Sequence, residues 1–252
     1  MGREVTPIIE VESVSFGYRD GQVLSDVSFE VMAGEHLAIV GANGSGKSTL
    51  LKCLARLLEA DTGRIRLFGR PLAEIGRRDI ARYVAYVPQA HFKRISFTVR
   101  EYLRLARYPY IDAWTGLGPA DEAAVDKAMA DTNITSLSAR RVSRLSGGEA
   151  QKVLIAAALA QETPILLLDE ATAFLDVKHK TDIHRLLRKL NGSLGKTIIQ
   201  VTHDLNHAAL SSRRILALKA GRIGFDGTPE AFMTPAVITA IYAAPLISPI
   251  IR

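Results

Sequence analysis

The residues best suited to chemistry form a short run, GANGSGKST, from Gly41 to Thr49. The run matches the phosphate-loop pattern G-x-x-x-x-G-K-[ST], and it stands between the apolar segment HLAIV and a helix-forming segment. Glycines let the backbone wrap closely around phosphates, and successive N–H groups at a helix N-terminus supply positive potential. The pattern therefore predicts a site for a nucleoside triphosphate.

Single positions of this run have distinct expected roles. Lys47 is expected to reach the β- and γ-phosphates, and the Ser48 hydroxyl to bind Mg²⁺. The other positions expected to surround the nucleotide are Gly41, Asn43, Gly44, Ser45, Gly46 and Thr49. A glycine-rich turn that only caps a helix would explain the glycines but not the Lys-Ser-Thr sequence.

A second candidate is ILLLDE, an apolar segment from Ile165 to Glu170 that ends in two acids. A buried strand delivers such side chains to the carboxyl end of a sheet, where nucleotides bind. Asp169 is then expected to bind magnesium, and Glu170 to orient or deprotonate the attacking water. A strand that ends in solvated acids is common, but beside a phosphate loop it favours a catalytic role.

The third candidate, LSGGE at Leu145 to Glu149, opens a predicted helix. Ser146 and Glu149 have the spacing of a capping box, in which each side chain satisfies an otherwise unpaired backbone N–H. Gly147 and Gly148 are costly in a first helical turn, however, and bare amides at a helix N-terminus suit a phosphate. The sequence thus predicts two sites suited to phosphate, the loop at Gly41 to Thr49 and this helix N-terminus, although a single nucleotide requires only one.

The elements that position these motifs alternate as in an α/β fold. Strands are predicted at IIEVESV, VSFEV, HLAIV, RIRLF, YVAYV, PILLLD, KTIIQVT, RRILALK and RIGFDG. Helices are predicted from Lys47 to about Leu57, at KHKTDIHRLLRKL and in the C-terminal TPEAFMTPAVITAIY. From Gln89 to about Leu159 helical patterns replace strands. We expect one domain, with a nucleotide-binding α/β core at 1–88 and 160–252 and an inserted helical subdomain at 89–159.

Composition sets broader limits. The chain has 252 residues, 48% of them hydrophobic and 23% charged, which is enough to bury a large core. Its single cysteine, Cys53, cannot form an internal disulfide, and no apolar run approaches the roughly 18 residues of a membrane span. The net charge of +6 suits phosphates, nucleic acid or anionic lipid alike.

On these three motifs the chain resembles the ATP-binding subunits of ABC transporters over nearly its whole length. The resemblance implies a P-loop NTPase core of the ABC ATPase type, with an N-terminal antiparallel β subdomain and an inserted α-helical subdomain. It also implies ATP and Mg²⁺ as cofactors and a homodimer, in which Ser146-Gly147-Gly148 of one subunit closes over the γ-phosphate held by the other. ATP binding would close this dimer and hydrolysis would reopen it.

Four further residues acquire roles from the same resemblance. Tyr18 resembles the aromatic residue that stacks on adenine, and Gln89 the glutamine that links magnesium to the transporter interface. Asp176 resembles the acid of the inter-subunit loop, and His203 the switch histidine that contacts the γ-phosphate. Each residue alone would pass for an ordinary surface or loop residue, but their order along the chain favours the functional roles.

The chain departs from the family pattern at three positions. Ala171 stands where proline usually follows the catalytic glutamate, Glu149 replaces the commoner glutamine, and Phe174 lies in the segment before Leu175-Asp176. None of these changes removes a phosphate or metal contact. They are expected to tune turnover, although a regulator that binds ATP without hydrolysing it stays an alternative.

Three segments resemble the iron-siderophore, haem and cobalamin importer ATPases in particular: SFTVREYLRLARYPY, LDVKHK and GTPEAFMTP. This implies a peripheral subunit on the cytoplasmic face of the cell membrane, which docks two integral-membrane permease subunits at the groove near Gln89 and is served indirectly by a substrate-binding protein. Ferric siderophore is the first expected cargo, and haem or cobalamin is the next. A soluble ABC ATPase that acts on nucleic acid or in cluster assembly is the alternative, but no nucleic-acid partner is expected.

Some basic and histidine side chains have weaker assignments. His203 and His207 have the spacing of two zinc ligands on a helix, but no third ligand is identifiable. His179 and His184 are expected on a solvated helical face. The following basic residues could face the permease or anionic lipid heads, or only line a solvated face: Lys93, Arg94, Arg100 and Arg104.

Overall fold

The computed structural model describes residues 6–89, 96–111, 116–172 and 175–242. Lys93, Arg94 and Phe174, which were singled out above, lie outside the described residues. The chain divides into two compact units, one formed by residues 1–74 and 199–252 and the other by residues 75–198. Within the described residues, no helix combines the length and the apolar character needed to span a bilayer.

Strands and helices alternate along the chain as predicted. The strands are β1 (Ile9–Tyr18), β2 (Gly21–Val31), β3 (His36–Gly41), β4 (Thr62–Leu67), β5 (Arg70–Pro71), β6 (Val84–Val87), β7 (Ile165–Asp169), β8 (Thr197–Val201), β9 (Arg214–Lys219) and β10 (Arg222–Gly227). The helices are α1 (Lys47–Leu54), α2 (Arg77–Tyr83), α3 (Val99–Leu105), α4 (Pro119–Asp131), α5 (Gly147–Ala160), α6 (Val177–Gly192), α7 (Leu205–Ser211), α8 (Pro229–Phe232) and α9 (Pro235–Tyr242). Helix α1 ends one turn earlier than expected, because Arg56 adopts a left-handed backbone with φ 52°.

The first unit contains a four-stranded antiparallel sheet in the order β2-β1-β4-β5. Ile9 of β1 lies opposite Val31 of β2 and Leu67 of β4, and all three side chains are buried. This sheet confirms the predicted N-terminal antiparallel β subdomain.

A second sheet carries the phosphate loop. In the first unit its order is β10-β9-β3-β8, with β3 parallel to β9 and β10 antiparallel to β9. Every residue of β3 is buried, as expected for a parallel strand covered on both faces. An apolar cluster that includes Val40, Ala217 and Phe232 packs α8 and α9 against this part of the sheet.

The second unit combines parallel strands with helices. β6 pairs with β7 in parallel register, from Val84 opposite Ile165 to Val87 opposite Leu168. Helix α5 contributes to two apolar clusters, one with α6 and the strands and the other with α3 and α4. The described residues from 96 to 159 therefore hold helices, as predicted.

A buried arginine ties the helices of the second unit together. The Arg107 guanidinium donates to Asp121 at 2.9 Å, to Glu162 at 2.8 Å and to the Ala160 carbonyl at 2.5 Å. Its charge also lies 4.1 Å from the centre of the Tyr110 ring. Because its donors reach two carboxylates and a carbonyl, this charge is stabilised despite its burial.

His36, the first residue of β3, makes the protein sensitive to acid. Its side chain is only 1% exposed, and burial lowers its pKa from 6.5 to about 4. The unfolded chain therefore binds the proton more tightly, so stability is lost as pH falls from about 6.5 towards 4. We expect a loss of about 2 kcal/mol between pH 7 and pH 5 from this group.

Urea unfolding at the two pH values measures this loss. The His36→Gln variant, which cannot become charged, should lose about 2 kcal/mol less than the parent chain over the same interval. An equal loss in the two proteins would contradict the role of His36.

Candidate nucleotide-binding residues

The phosphate loop begins at the end of β3 and leads directly into α1. Gly41 and Gly46 both have positive φ, at 142° and 100°. A Cβ on Gly41 would lie 2.2 Å from the Leu218 carbonyl oxygen, and one on Gly46 would lie 2.7 Å from Leu24 Cδ2. Both positions therefore require glycine, because side chains would clash and the backbone conformation disfavours them.

The Lys47 ammonium group lies inside this loop. Its side chain is buried, and Nζ donates to the carbonyl oxygens of Gly41 and Ala42, each at 2.9 Å. The Ser45 hydroxyl is also buried and has no hydrogen-bond partner among the described residues. A buried cation, an unsatisfied hydroxyl and a glycine-lined curve together fit a phosphate group.

A residue that sequence analysis did not select supports the start of the loop. The Gly41 N–H donates to the Tyr242 hydroxyl at 3.0 Å. Tyr242 is the last residue of α9, and burial raises the pKa of its hydroxyl. The C-terminal helix thus fixes the backbone of the first phosphate-loop residue.

Removing this hydroxyl should loosen the loop. In Tyr242→Phe the ring stays while the Gly41 N–H loses its acceptor, so we expect the Kd for ATP to rise about threefold to tenfold. Tyr110→Phe is the matched control, because it likewise removes a phenol hydroxyl that makes one hydrogen bond to the backbone, in this case by donating to the Gln161 carbonyl at 2.9 Å. Fluorescent-nucleotide titration of both variants tests this, and equal Kd values would contradict it.

The first unit also positions Tyr18 and His203. Tyr18 ends β1 with an exposed ring that meets Phe16 edge to face, with ring centres 4.9 Å apart. His203 is exposed and follows β8 by two residues. His207 turns its Nδ1 to Asp204 Oδ2 at 2.9 Å, which is the N-cap of α7. His207 Nδ1 is therefore already engaged with Asp204, which reduces the number of nitrogens that the His203–His207 pair could offer to zinc.

In the second unit the two acids stand at the end of β7, as predicted. Asp169 is buried and accepts a hydrogen bond from the Tyr86 hydroxyl at 2.9 Å. Burial, reinforced by the Asp169 charge, raises the pKa of Tyr86, so the phenol stays a donor. Glu170 has φ 50°, a left-handed backbone that is uncommon for a residue with a side chain and recurs at active sites. Ala171, where the family has proline, is buried in the core cluster.

The predicted capping box at the start of α5 is confirmed. The Ser146 N–H donates to Glu149 Oε2 at 2.8 Å, and the Glu149 N–H donates to Ser146 Oγ at 3.4 Å. The Ser146 N–H bond lowers the pKa of Glu149, whose other oxygen accepts from Arg140 at 2.9 Å. Glutamate at this position therefore supplies a charge that glutamine lacks.

Asp176 is the N-cap of α6, and its Oδ1 accepts from the His179 N–H and contacts His179 Nδ1, both at 2.8 Å. The expectation of a solvated face was wrong for His184, whereas the His179 side chain is 32% exposed. His184 is 4% exposed, and the His179 ring lies against Gly148. A signal existed for His184, because it lies three residues before the buried Leu187 on one helical face.

Gln89 lies two residues after β6 and is half-buried. Arg100 and Arg104 do not present free charges to a permease or lipid. Arg100 binds Asp126 at 2.7 Å and Glu122 at 2.9 Å, and Arg104 binds Glu122 at 2.7 Å. These charges join α3 to α4.

The sequence pattern of the ABC transporter family matches residues 24–173. The chain is 39% identical over 236 residues to the petrobactin import ATP-binding protein FpuC of Bacillus anthracis, and the aligned region covers 93% of this chain and 86% of that protein. It is 38% identical over 231 residues to the ferric enterobactin transport ATP-binding protein FepC of Escherichia coli K12, covering 92% and 85%.

Solved structures agree with the sequence relatives. An ABC transporter of the metal-chelate type in an inward-facing conformation superposes with a TM-score of 0.84 at 27% identity, over 95% of this chain and 90% of that one. A dimeric ATP-binding cassette with bound ADP and Pi gives a TM-score of 0.78 at 28% identity, over 88% and 98%. The predicted fold and family are confirmed: the chain belongs to the ABC transporter family and is an ATP-binding, ATP-hydrolysing subunit.

Proposed function

We propose that this chain powers a membrane importer of a ferric siderophore or a similar metal chelate, such as haem. The observation that carries this assignment is the 39% identity, over 93% of the chain, to a petrobactin import subunit. The hemin import ATP-binding protein HmuV of Nocardia farcinica is 40% identical, over 89% of this chain and 77% of that protein. These relatives do not favour the alternative of a soluble ATPase that acts on nucleic acid or in cluster assembly.

The residues fit ATP and Mg²⁺ in chemical terms. In the first unit Lys47 binds the β- and γ-phosphates, the loop amides surround them, Ser48 supplies a hydroxyl ligand and Tyr18 stacks on adenine. In the second unit Asp169 and Gln89 carry side-chain oxygens, the ligand type that Mg²⁺ prefers, and would be the residues that hold it there. When bound, the metal neutralises charge on the phosphates.

Catalysis by these residues consists mainly of positioning and charge stabilisation. Glu170 orients the attacking water and accepts its proton, and His203 contacts the γ-phosphate. The left-handed backbone of Glu170 aims its side chain differently from a continuing strand. Lys47 stabilises the negative charge on the transferred group.

The second unit offers a surface suited to a homodimer. The N-terminus of α5, with Ser146-Gly147-Gly148, is the part that closes on the partner's nucleotide, and Asp176 lies in the inter-subunit loop. Val177, next to Asp176, is 82% exposed, and a partner subunit would bury this apolar side chain. The dimeric cassette that superposes on this chain supports the arrangement.

A cavity in the second unit suits a permease segment. Its volume is about 340 Å³, and its lining combines the apolar side chains of Pro88, Leu105 and Leu154 with the polar groups of Tyr86, Tyr102 and Gln161. Leu105, on α3, is 53% exposed. We propose that a short helix of each permease subunit inserts here and holds the chain on the cytoplasmic face of the membrane.

This docking predicts a selective loss of membrane attachment. In Leu105→Asp a charge replaces the apolar side chain that would contact the permease helix. The fraction of the variant that stays bound to washed membranes of the native cell should therefore fall about tenfold. Leu210→Asp is the control, because Leu210 is 78% exposed on α7 in the other unit. Equal membrane fractions for the two variants, measured by quantitative blotting, would argue against docking at this cavity.

A further inference from the structure

The imidazole of His179 connects two motifs of the second unit. Its Nδ1 lies 2.8 Å from Asp176 Oδ1, and its ring faces the first turn of α5 at Gly148. A Cβ built on Gly148 would lie 2.2 Å from Cδ2, 2.5 Å from Cγ and 2.7 Å from Nε2 of this ring. All three distances are below those that Cβ atoms adopt, so the ring occupies the space of the missing side chain.

The neighbouring glycine does not share this constraint. A Cβ on Gly147 would meet only Leu175 Cδ2, at 3.9 Å, which is ordinary contact. A side chain at the second glycine of the Ser-Gly-Gly sequence would therefore displace the His179 ring from its present position.

We propose that His179 is a positioning residue that holds the Asp176 carboxylate in a fixed place relative to the N-terminus of α5. The inference rests on the proposed function, in which both parts act on the nucleotide of the partner subunit. With His179 in place, the inter-subunit loop and the Ser-Gly-Gly turn reach the partner as one rigid surface.

The contact between His179 and Asp176 is suited to orienting the Asp176 carboxylate, and it contributes little to the free energy of folding. The side chains of His179 and Asp176 are 32% and 66% exposed, and partly solvated pairs contribute only about 0–1 kcal/mol to folding. Helices α5 and α6 are also joined one turn further along, where Lys152 donates to Asp182 at 2.9 Å. Loss of the imidazole should thus leave Asp176 Oδ1 with only the backbone N–H of residue 179, so the carboxylate is held less firmly while the two helices stay packed.

The test compares full-length variants by steady-state phosphate release and by nucleotide binding. His179→Ala should lower kcat at saturating ATP about tenfold, the effect of a modest misplacement, with Kd for ATP changed less than about twofold. His179→Asn places an amide donor where Nδ1 lies, so it should recover most of the lost kcat. Lys152→Met removes the other helix–helix link and should keep kcat within about twofold of the parent.

A double-mutant cycle separates action through Asp176 from a general effect. If His179 acts through Asp176, adding His179→Ala to Asp176→Ala should lower kcat no further than Asp176→Ala alone. Independent, multiplying effects would overturn the proposal, as would failure of His179→Asn to recover activity. So would a kcat of His179→Ala equal to that of the parent.

Failure of the proposed function has a different signature. If the parent chain itself released no phosphate from Mg-ATP, the assigned catalysis would fail for every variant. If the parent chain turns over while His179→Ala matches it, only the role of His179 is refuted.

Discussion

Glu170→Gln should bind ATP as tightly as the parent chain but hydrolyse it at least about a hundredfold more slowly. The amide has the shape of the carboxylate but cannot accept a proton from water. The phosphate loop and Lys47 are unchanged, so binding energy is kept. In the proposed cycle hydrolysis reopens the closed dimer, so this variant should stay dimeric once ATP is added.

Two measurements check this expectation: phosphate release, and sedimentation with and without ATP. Glu162→Gln is the matched control, because Glu162 also has a left-handed backbone, with φ 56°, and lies in the same unit. The control should turn over as the parent does and stay ATP-responsive. Sustained parent-like turnover by Glu170→Gln would refute the catalytic assignment of Glu170.

Lys47→Ala should abolish ATP binding at micromolar nucleotide. The ammonium is held inside the loop by the Gly41 and Ala42 carbonyls, and its charge-assisted hydrogen bonds to phosphate are worth about 1.5–3 kcal/mol each. Loss of two such bonds raises Kd by at least about a hundredfold. All later steps fail with it.

Lys52→Ala provides the comparison for charge alone. Lys52 lies in the last turn of the same helix, α1, so its removal changes net charge equally without touching the loop. Its Kd for ATP, measured by isothermal titration, should match the parent value within about twofold. Unaltered binding by Lys47→Ala would show that the phosphates lie elsewhere.

Local patterns were enough to predict much of this protein. The capping box of Ser146 and Glu149 forms as its three-residue spacing requires, because it depends only on neighbours in one helical turn. The buried strands β3 and β7 were also predictable from the sequence, because a short continuous apolar run is typical of a strand that is covered on both faces. The phosphate loop and the two acids Asp169 and Glu170 lie at the ends of these strands, so their positions follow from the strands.

Contacts between distant segments could not be read in this way. Tyr242 and Gly41 are 201 residues apart, and no local period relates them. The pairing of Arg100 with Glu122 and Asp126 likewise depends on how α3 lies beside α4. The environment of His179 required the packing of α6 on α5, which the sequence of α6 alone does not specify.

The central claim is tested most directly by iron uptake into right-side-out membrane vesicles of the native cell. The vesicles are loaded with Mg-ATP and are given a siderophore that carries radioactive iron, together with its binding protein. Vesicles with the parent chain should accumulate iron, and vesicles with Glu170→Gln should not. Equal accumulation by both, or none that depends on ATP with the parent chain, would contradict the account.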